Sequence, residues 1–147
     1  MSENRLASII HRCGCERNEG DSGPSDSLML TATCHCGAVE IEIARRPRSL
    51  TQCTCSICRR YGALWAYFTR RTARVLNDAA VETAYRWNDK VIDFYHCNTC
   101  GCLTRYEGVE KSRDSRIVVN ARMISPEEVD GVRIRTFDGA YTWKYLD

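Results

Sequence analysis

The cysteines of this 147-residue chain constrain its fold more than any other feature of the sequence. Ten cysteines are present, and nine of them stand in four short clusters. Spacings of two and three residues suit thiolates that hold one metal ion from a tight turn, whereas a disulfide between such close neighbours closes a very small ring. We find no secretory signal, and cytosolic thiols are kept reduced. The clusters therefore predict metal binding in a cytoplasmic protein.

Two of the clusters are pairs, and a glycine follows each pair directly. The pairs are Cys34 with Cys36 and Cys97 with Cys100. Structural zinc sites usually take four ligands from two such turns. Glycine at 37 and 101 lets the backbone fold tightly and point amide N–H groups at the sulfurs. These pairs can supply a closed zinc site between the first strands and the middle of the chain, and we expect its loss to unfold the protein.

The third cluster is a C-x-C-x-x-C triplet made of Cys53, Cys55 and Cys58. Catalytic zinc sites typically have three protein ligands and one exchangeable position. An open position next to Arg59 and Arg60 would suit an incoming thiolate or a small carbonyl. Two alternatives stay open on spacing alone: a further cysteine such as Cys102 closes this site, or the triplet joins one of the pairs.

The hydrophobic pattern predicts a mainly β fold of short antiparallel strands with little helix. Val39, Ile41 and Ile43 alternate with glutamates, which is typical of a half-buried strand. Further strands are expected over 64–69, 83–87, 91–96, 103–106, 116–123 and 132–135. Residues 88–90 separate two of these strands and predict a hairpin. Short helical turns are expected at 56–61 and after Ser125, where Pro126 favours a helix start.

Composition and charge limit the classes of protein to which the chain can belong. Residues 1–27 predict a flexible N-terminal tail, in which Cys13 and Cys15 are interpreted as exposed thiols, and residues 28–147 predict a single domain. A formal net charge of +2 argues against a nucleic-acid partner. The longest apolar run, Ala63–Phe68, is far shorter than the ~20 residues that cross a bilayer.

Other chemistry-bearing residues add little to this interpretation. His35 and His96 lie beside cysteines along the chain, so we expect both to point away from the metal. Trp65, Tyr67 and Phe68 follow the triplet and are interpreted as core residues. The sequence contains no nucleophile elbow, phosphate loop or H-E-x-x-H helix, and no general base can be named.

Three segments resemble the signature of the glutathione-dependent formaldehyde-activating enzymes, a domain that also occurs in centromere protein V. The segments are Cys34-His35-Cys36-Gly37-Ala38-Val39, Cys53-Thr54-Cys55-Ser56-Ile57-Cys58-Arg59-Arg60-Tyr61-Gly62-Ala63 and Phe94-Tyr95-His96-Cys97-Asn98-Thr99-Cys100-Gly101. The resemblance spans roughly residues 28–146 and includes Val118–Arg122 and Trp143. Thr54 stands where a histidine is common, and Cys102 where a small hydroxyl residue is usual.

The resemblance implies the fold, the metal sites and the activity. The fold is the β-tent, small antiparallel sheets arranged around zinc. Two zinc ions per chain are implied, one structural and one with an open position. The implied structural ligands are Cys34, Cys36, Cys97 and Cys100, and those of the second zinc are Cys53, Cys55 and Cys58. No catalytic residue beyond this second zinc is identified, and the residues that bind substrate are unknown.

The working hypothesis is a cytoplasmic zinc enzyme of the carbon–sulfur lyase type. Its partners would be a small-molecule thiol such as glutathione and an aldehyde such as formaldehyde, which together form S-(hydroxymethyl)glutathione. No nucleic acid and no membrane are expected as partners, and a homo-oligomer is left open. The alternative hypothesis is a non-enzymatic zinc module that binds protein or nucleic acid. A third is a redox switch that uses Cys13, Cys15 or Cys102.

Overall fold

The structure is a computed structural model that describes residues 29–147. The expectations for Cys13, Cys15 and a tail over residues 1–27 lie outside the described residues. The division into this tail and one domain from residue 28 stays a prediction. Within residues 29–147, no helix has the length and apolar character needed to span a bilayer.

Short strands dominate the described chain, as the sequence pattern predicts. They are β1 Leu30–Thr33, β2 Glu40–Ile43, β3 Leu50–Cys53, β4 Trp65–Thr69, β5 Ala73–Val75, β6 Glu82–Trp87, β7 Ile92–Cys97, β8 Leu103–Gly108, β9 Arg116–Asn120 and β10 Ile134–Phe137. The helices are α1 Cys58–Tyr61 and α2 Pro126–Val129, with 3₁₀ turns at Ala79–Val81 and Ala121–Met123. The mainly β fold class with little helix is therefore confirmed.

The strands form two sheets. A three-stranded sheet has the order β1-β2-β5, and a seven-stranded sheet has the order β10-β3-β4-β9-β8-β7-β6. All neighbouring pairs are antiparallel except β10 and β3, which run parallel. Strand β9 therefore also runs parallel to β10 in the same sheet, and parallel strands need a crossover connection. Residues 121–133, which contain α2, supply that crossover.

The two faces of the seven-stranded sheet carry different clusters of side chains. Ile117 and Val119 on β9 pack with the apolar residues of the three-stranded sheet and are 0% exposed. Val118 points to the opposite face and packs with Trp65, Phe94 and the triplet cysteines. Successive strand residues alternate between faces, so one strand separates the two clusters. We call the face that carries Val118 the outer face.

Most predicted elements are present, and the differences have local causes. Asn88, Asp89 and Lys90 all have positive φ, of 53°, 50° and 63°, and join β6 to β7 in the predicted hairpin. The expected strand over 116–123 ends at Asn120. The side chain of Asn120 accepts a hydrogen bond from the backbone N–H of Arg122 at 3.3 Å and so caps the start of a 3₁₀ turn. Strands β1, β3 and β5 are absent from the expected set. β3 has polar residues at both central positions, Thr51 and Gln52, and β1 and β5 have only two apolar residues each, so none shows an extended alternation.

Candidate metal centres

The structure brings the two cysteine pairs together into a first cluster. The four sulfurs, those of Cys34, Cys36, Cys97 and Cys100, all lie within 4.8 Å of one another. The first pair follows β1, and the second begins at the end of β7 and leads into β8. Cys34 and Cys97 are buried, Cys100 is half-buried and Cys36 is exposed. The cluster therefore joins two turns whose cysteines are at least 61 residues apart along the chain.

Both turns have the glycine conformation that the sequence predicts. Gly37 has a φ of 80° and Gly101 a φ of 72°, in the region that favours glycine. The Val39 amide donates to Cys34 Sγ at 3.2 Å. The backbone N–H of Cys102 is the main cause that lowers the pKa of Cys100 to about 5. The turns thus point backbone N–H groups at the sulfurs of Cys34 and Cys100.

The donor set of the first cluster fits a tetrahedral metal ion. The Cys34–Cys36 and Cys36–Cys97 sulfur–sulfur distances are each 3.6 Å. Zinc–sulfur bonds of about 2.3 Å in a tetrahedron give sulfur–sulfur edges of about 3.8 Å. A disulfide would need a separation of about 2.05 Å, and these cysteines are free. The four thiols could hold a metal ion and are consistent with zinc.

The triplet forms a separate second cluster on the outer face. Cys53 ends β3, Cys58 begins α1, and the sulfurs of Cys53, Cys55 and Cys58 lie within 4.8 Å of one another. Trp65 donates its indole N–H to Cys58 Sγ at 3.3 Å. A side-chain hydrogen bond with Cys58 is the largest cause that lowers the pKa of Cys53, to about 6. These three thiols could also hold a metal ion.

The loop after β10 packs against the second cluster. A Cβ built at Gly139 would lie 2.8 Å from Cys53 Sγ and 2.9 Å from Cys55 Cβ, so only glycine fits this position without displacement. Buried Asp138 accepts a hydrogen bond from Thr54 Oγ1 at 3.2 Å and one from Thr142 Oγ1 at 2.8 Å. The bond from Thr142 is the main cause that lowers the pKa of Asp138. Sequence reasoning missed this loop, although Asp-Gly is a turn signal.

A cavity of about 760 Å³ opens beside the second cluster. Its lining includes Cys55 and Arg59, together with Trp87 on β6 and Trp143 near the chain end. Arg59 is exposed and lies at the predicted place next to the triplet. Arg60 instead donates to the Ser56 carbonyl at 2.6 Å and lines a neighbouring cavity. Among the predicted core aromatics, Trp65 and Phe68 are buried, whereas Tyr67 is 37% exposed.

Cys102 packs with the first cluster, beside Cys34, Cys97 and Cys100. It lies outside the group formed by the triplet sulfurs, so the described geometry does not bring Cys102 to the second cluster. His35 is exposed, and His96 stacks on Tyr61 with ring centroids 5.2 Å apart. Neither histidine belongs to a metal-ligand group.

Comparison with known proteins agrees with the geometry of the two clusters. A family model described as glutathione-dependent formaldehyde-activating enzyme matches residues 29–134. A crystal structure of a Rhodobacter sphaeroides protein is similar, with a TM-score of 0.56 and 31% sequence identity, and the similarity covers 71% of this chain and 98% of that chain. No curated protein sequence matches. Because the family match includes both cysteine clusters and most of the chain, the protein belongs to the glutathione-dependent formaldehyde-activating enzyme family.

Proposed function

We propose that the protein is a zinc-dependent enzyme of the carbon–sulfur lyase type that acts on a thiol–aldehyde adduct such as S-(hydroxymethyl)glutathione. The observation that carries this proposal is the group of three thiols beside a large cavity, in a chain of this family. Within residues 29–147, no fourth cysteine, histidine or carboxylate joins this group. Three protein ligands leave one position for a substrate.

Two zinc ions per chain are part of the proposal. Cys34, Cys36, Cys97 and Cys100 would close the first site and serve only the fold. The second zinc would be held by Cys53, Cys55 and Cys58. When bound there, a zinc ion supplies Lewis acidity that lowers the pKa of a substrate thiol.

The residues of the cavity beside Cys55 would position the second reactant. Trp87 and Trp143 line it and offer apolar ring surface to the reactants. We assign to Arg59 a hydrogen bond to the carbonyl oxygen of the aldehyde. In the reaction, the thiol sulfur forms a bond to the carbonyl carbon, the C=O π electrons move to oxygen, and the thiol proton ends on that oxygen. Holding the reactants side by side raises their effective concentration.

The proposed partners follow from the family description, which names glutathione and formaldehyde. Glutathione is an abundant thiol of reducing compartments, and free cysteines at both clusters suit such a compartment. We therefore place the protein in the cytoplasm, with a small thiol and an aldehyde as reactants. Nucleic acid and membrane are not expected as partners, and oligomeric state is not part of the proposal.

Exchange spectroscopy on a mixture of glutathione and formaldehyde tests the activity. We expect the zinc-loaded protein to accelerate formation of the adduct, and Cys55→Ser to lower this acceleration about 100-fold or more, since Lewis-acid stabilisation contributes several kcal/mol. Cys102→Ser is the matched control, because it removes a thiol outside the triplet. No acceleration by a protein that carries two zinc ions would overturn the proposal and favour the non-enzymatic zinc module.

The open position is tested with the cysteines of the N-terminal segment. The double substitution Cys13→Ser with Cys15→Ser is expected to leave two zinc ions per chain and the exchange rate unchanged. Loss of one zinc ion from this variant would mean that a tail thiol closes the second site, and the catalytic role of that site would then be rejected.

A further inference from the structure

A second cavity lies on the outer face of the seven-stranded sheet and has no role in the chemistry above. Its volume is about 480 Å³. We call it the arginine cavity, and its lining residues are Arg45, Tyr67, Phe68, Thr69, Arg116, Phe137 and Tyr145. Two guanidinium groups and four aromatic rings, two of which carry hydroxyl groups, therefore surround one space.

The two arginines of this cavity lack the carboxylate partners that seven of the fifteen arginines in residues 29–147 have. Seven others, Arg70, Arg71, Arg74, Arg86, Arg105, Arg133 and Arg135, form ion pairs with carboxylates. Within residues 29–147, neither Arg45 nor Arg116 has such a partner, and no carboxylate lines the cavity. The Arg116 guanidinium lies 6.0 Å from the Tyr67 ring centroid. The cavity thus has uncompensated positive charge suited to an anion.

Hydroxyl groups and ring faces give the cavity further recognition chemistry. Tyr67 accepts a hydrogen bond from Tyr106 at 3.5 Å, which leaves its own O–H to donate. The Tyr145 hydroxyl shares a hydrogen bond of 3.1 Å with Thr51 Oγ1. Guanidinium groups and phenol O–H groups together match the two oxygens of a carboxylate. The aromatic walls suit the carbon chain that carries such a carboxylate.

The strand register holds the arginine cavity next to the second metal cluster. Phe137, which lines the cavity, is the register partner of Cys53 on β3. Tyr67 lies two residues after Trp65 on β4, and Trp65 donates to Cys58 Sγ. Residues two apart on a strand share a face and are about 7 Å apart. The cavity and the triplet are therefore neighbours on one face, at a separation that a small molecule can bridge.

We propose that Arg45 and Arg116 bind a carboxylate of the thiol substrate, so that its sulfur reaches the second cluster from the side opposite the cavity beside Cys55. The inference rests on the proposed function for the identity of that substrate. It assigns specificity to the arginine cavity: thiols that carry a carboxylate on a short chain are selected over neutral thiols. The cavity beside Cys55 is then left for the aldehyde.

Binding of S-methylglutathione tests the inference separately from the zinc chemistry. This thioether keeps both carboxylates of glutathione and has no thiol to coordinate a metal. By calorimetry we expect Arg116→Gln and Arg45→Gln each to weaken binding about tenfold or more, as for the loss of one charge-assisted contact. Arg74→Gln, the same charge change on the other sheet, is the control and is expected to bind like wild type. Equal binding by all three variants would overturn the inference.

Kinetics distinguish failure of the inference from failure of the proposed function. With an active enzyme, Arg116→Gln should raise the KM for glutathione about tenfold or more and leave the KM for formaldehyde unchanged. An active enzyme whose KM for glutathione is unchanged would reject the arginine cavity and leave the proposed function intact. Conversely, arginine-dependent binding of S-methylglutathione by a zinc-loaded but inactive protein would support the cavity and reject the lyase.

Two further binding measurements complete the test, one on a variant that lacks a proposed zinc ligand and one with a neutral ligand. Cys55→Ser should bind S-methylglutathione as wild type does, since the arginines are independent of the triplet metal. A neutral thioether without carboxylates should not compete with S-methylglutathione for binding to the protein. Competition by the neutral thioether at similar concentrations would overturn the assignment of the cavity to a carboxylate.

Discussion

At the scale of single residues, Gly139 shows how a side chain that does no chemistry shapes the second cluster. It belongs to the loop that follows β10 and lies against Cys53 and Cys55. Asp138 anchors the same loop through Thr54, which stands between these two cysteines. The position of the triplet sulfurs is thus set partly by residues more than 80 positions later in the chain.

Gly139→Ala should disturb the second cluster and spare the first. The added methyl group would meet Cys53 Sγ at 2.8 Å and Cys55 Cβ at 2.9 Å, well inside normal contact distance. Such overpacking typically costs about 1–3 kcal/mol, and here the displaced atoms belong to the proposed ligands. We expect the zinc content to fall from two to one per chain, measured by metal analysis of the purified protein.

Gly108→Ala is the matched control for this substitution. Its nearest atoms would be backbone oxygens at 3.5 and 3.9 Å, which is ordinary contact. It should keep two zinc ions. The role assigned to Gly139 is contradicted if both alanine variants retain two zinc ions with wild-type affinity.

At the scale of the elements, β8 carries a buried ionic network on the face opposite the second cluster. Glu107 and Arg105 are 1% and 4% exposed, and Arg105 Nε donates to Glu107 Oε1 at 2.8 Å. Arg70 approaches Glu107 Oε2 at 2.8 Å, and Arg105 also pairs with Glu82. The network joins β8 to the start of β6 and to the residue after β4.

Glu107→Gln should strongly destabilise the protein, because it leaves the buried Arg105 charge with one carboxylate in place of two. Removing one partner of a buried ionic group costs about 3–5 kcal/mol. The measurement is urea unfolding of the zinc-loaded protein. Asp114→Asn, in the exposed Arg71–Asp114 pair, should cost no more than about 1 kcal/mol. Equal effects of the two substitutions would show that the β8 network contributes no more than a surface ion pair.

At the scale of the whole molecule, the two clusters have different relations to the fold. The first cluster connects the turn after β1 to the turn between β7 and β8, and so connects the two sheets. The second cluster lies within one short segment, from Cys53 to Cys58, on the outer face of a single sheet. Loss of metal from the first cluster should therefore destabilise the fold more than loss of metal from the second cluster.

Cys97→Ser should unfold the protein, whereas Cys55→Ser should lose one zinc ion and remain folded. Structural zinc contributes about 10–16 kcal/mol in small domains, which is comparable with the 5–15 kcal/mol of a whole domain. Metal analysis and thermal unfolding followed by circular dichroism measure both effects. If Cys55→Ser unfolds as completely as Cys97→Ser, the second site is structural and its catalytic role is rejected.

Much of the fold could be predicted from local pattern. The alternation of Ile41 and Ile43 with glutamates predicts β2, and the polar residues 88–90 predict the hairpin of β6 and β7. The parallel pairing of β10 with β3 could not be predicted, because it depends on a crossover whose path is set by packing. The arginine cavity was missed for the same reason, since its residues come from five separate parts of the sequence.

The sequence by itself determined which cysteines act together within each turn, since spacings of two and three residues and the following glycines fix local geometry. It left the partners of each group open, because spacing carries no information about contacts across 61 residues. Only the tertiary structure decided that Cys34 and Cys36 meet Cys97 and Cys100, and that Cys102 packs beside this group. It also put Gly139 against the triplet. Packing of the sheets sets these distances.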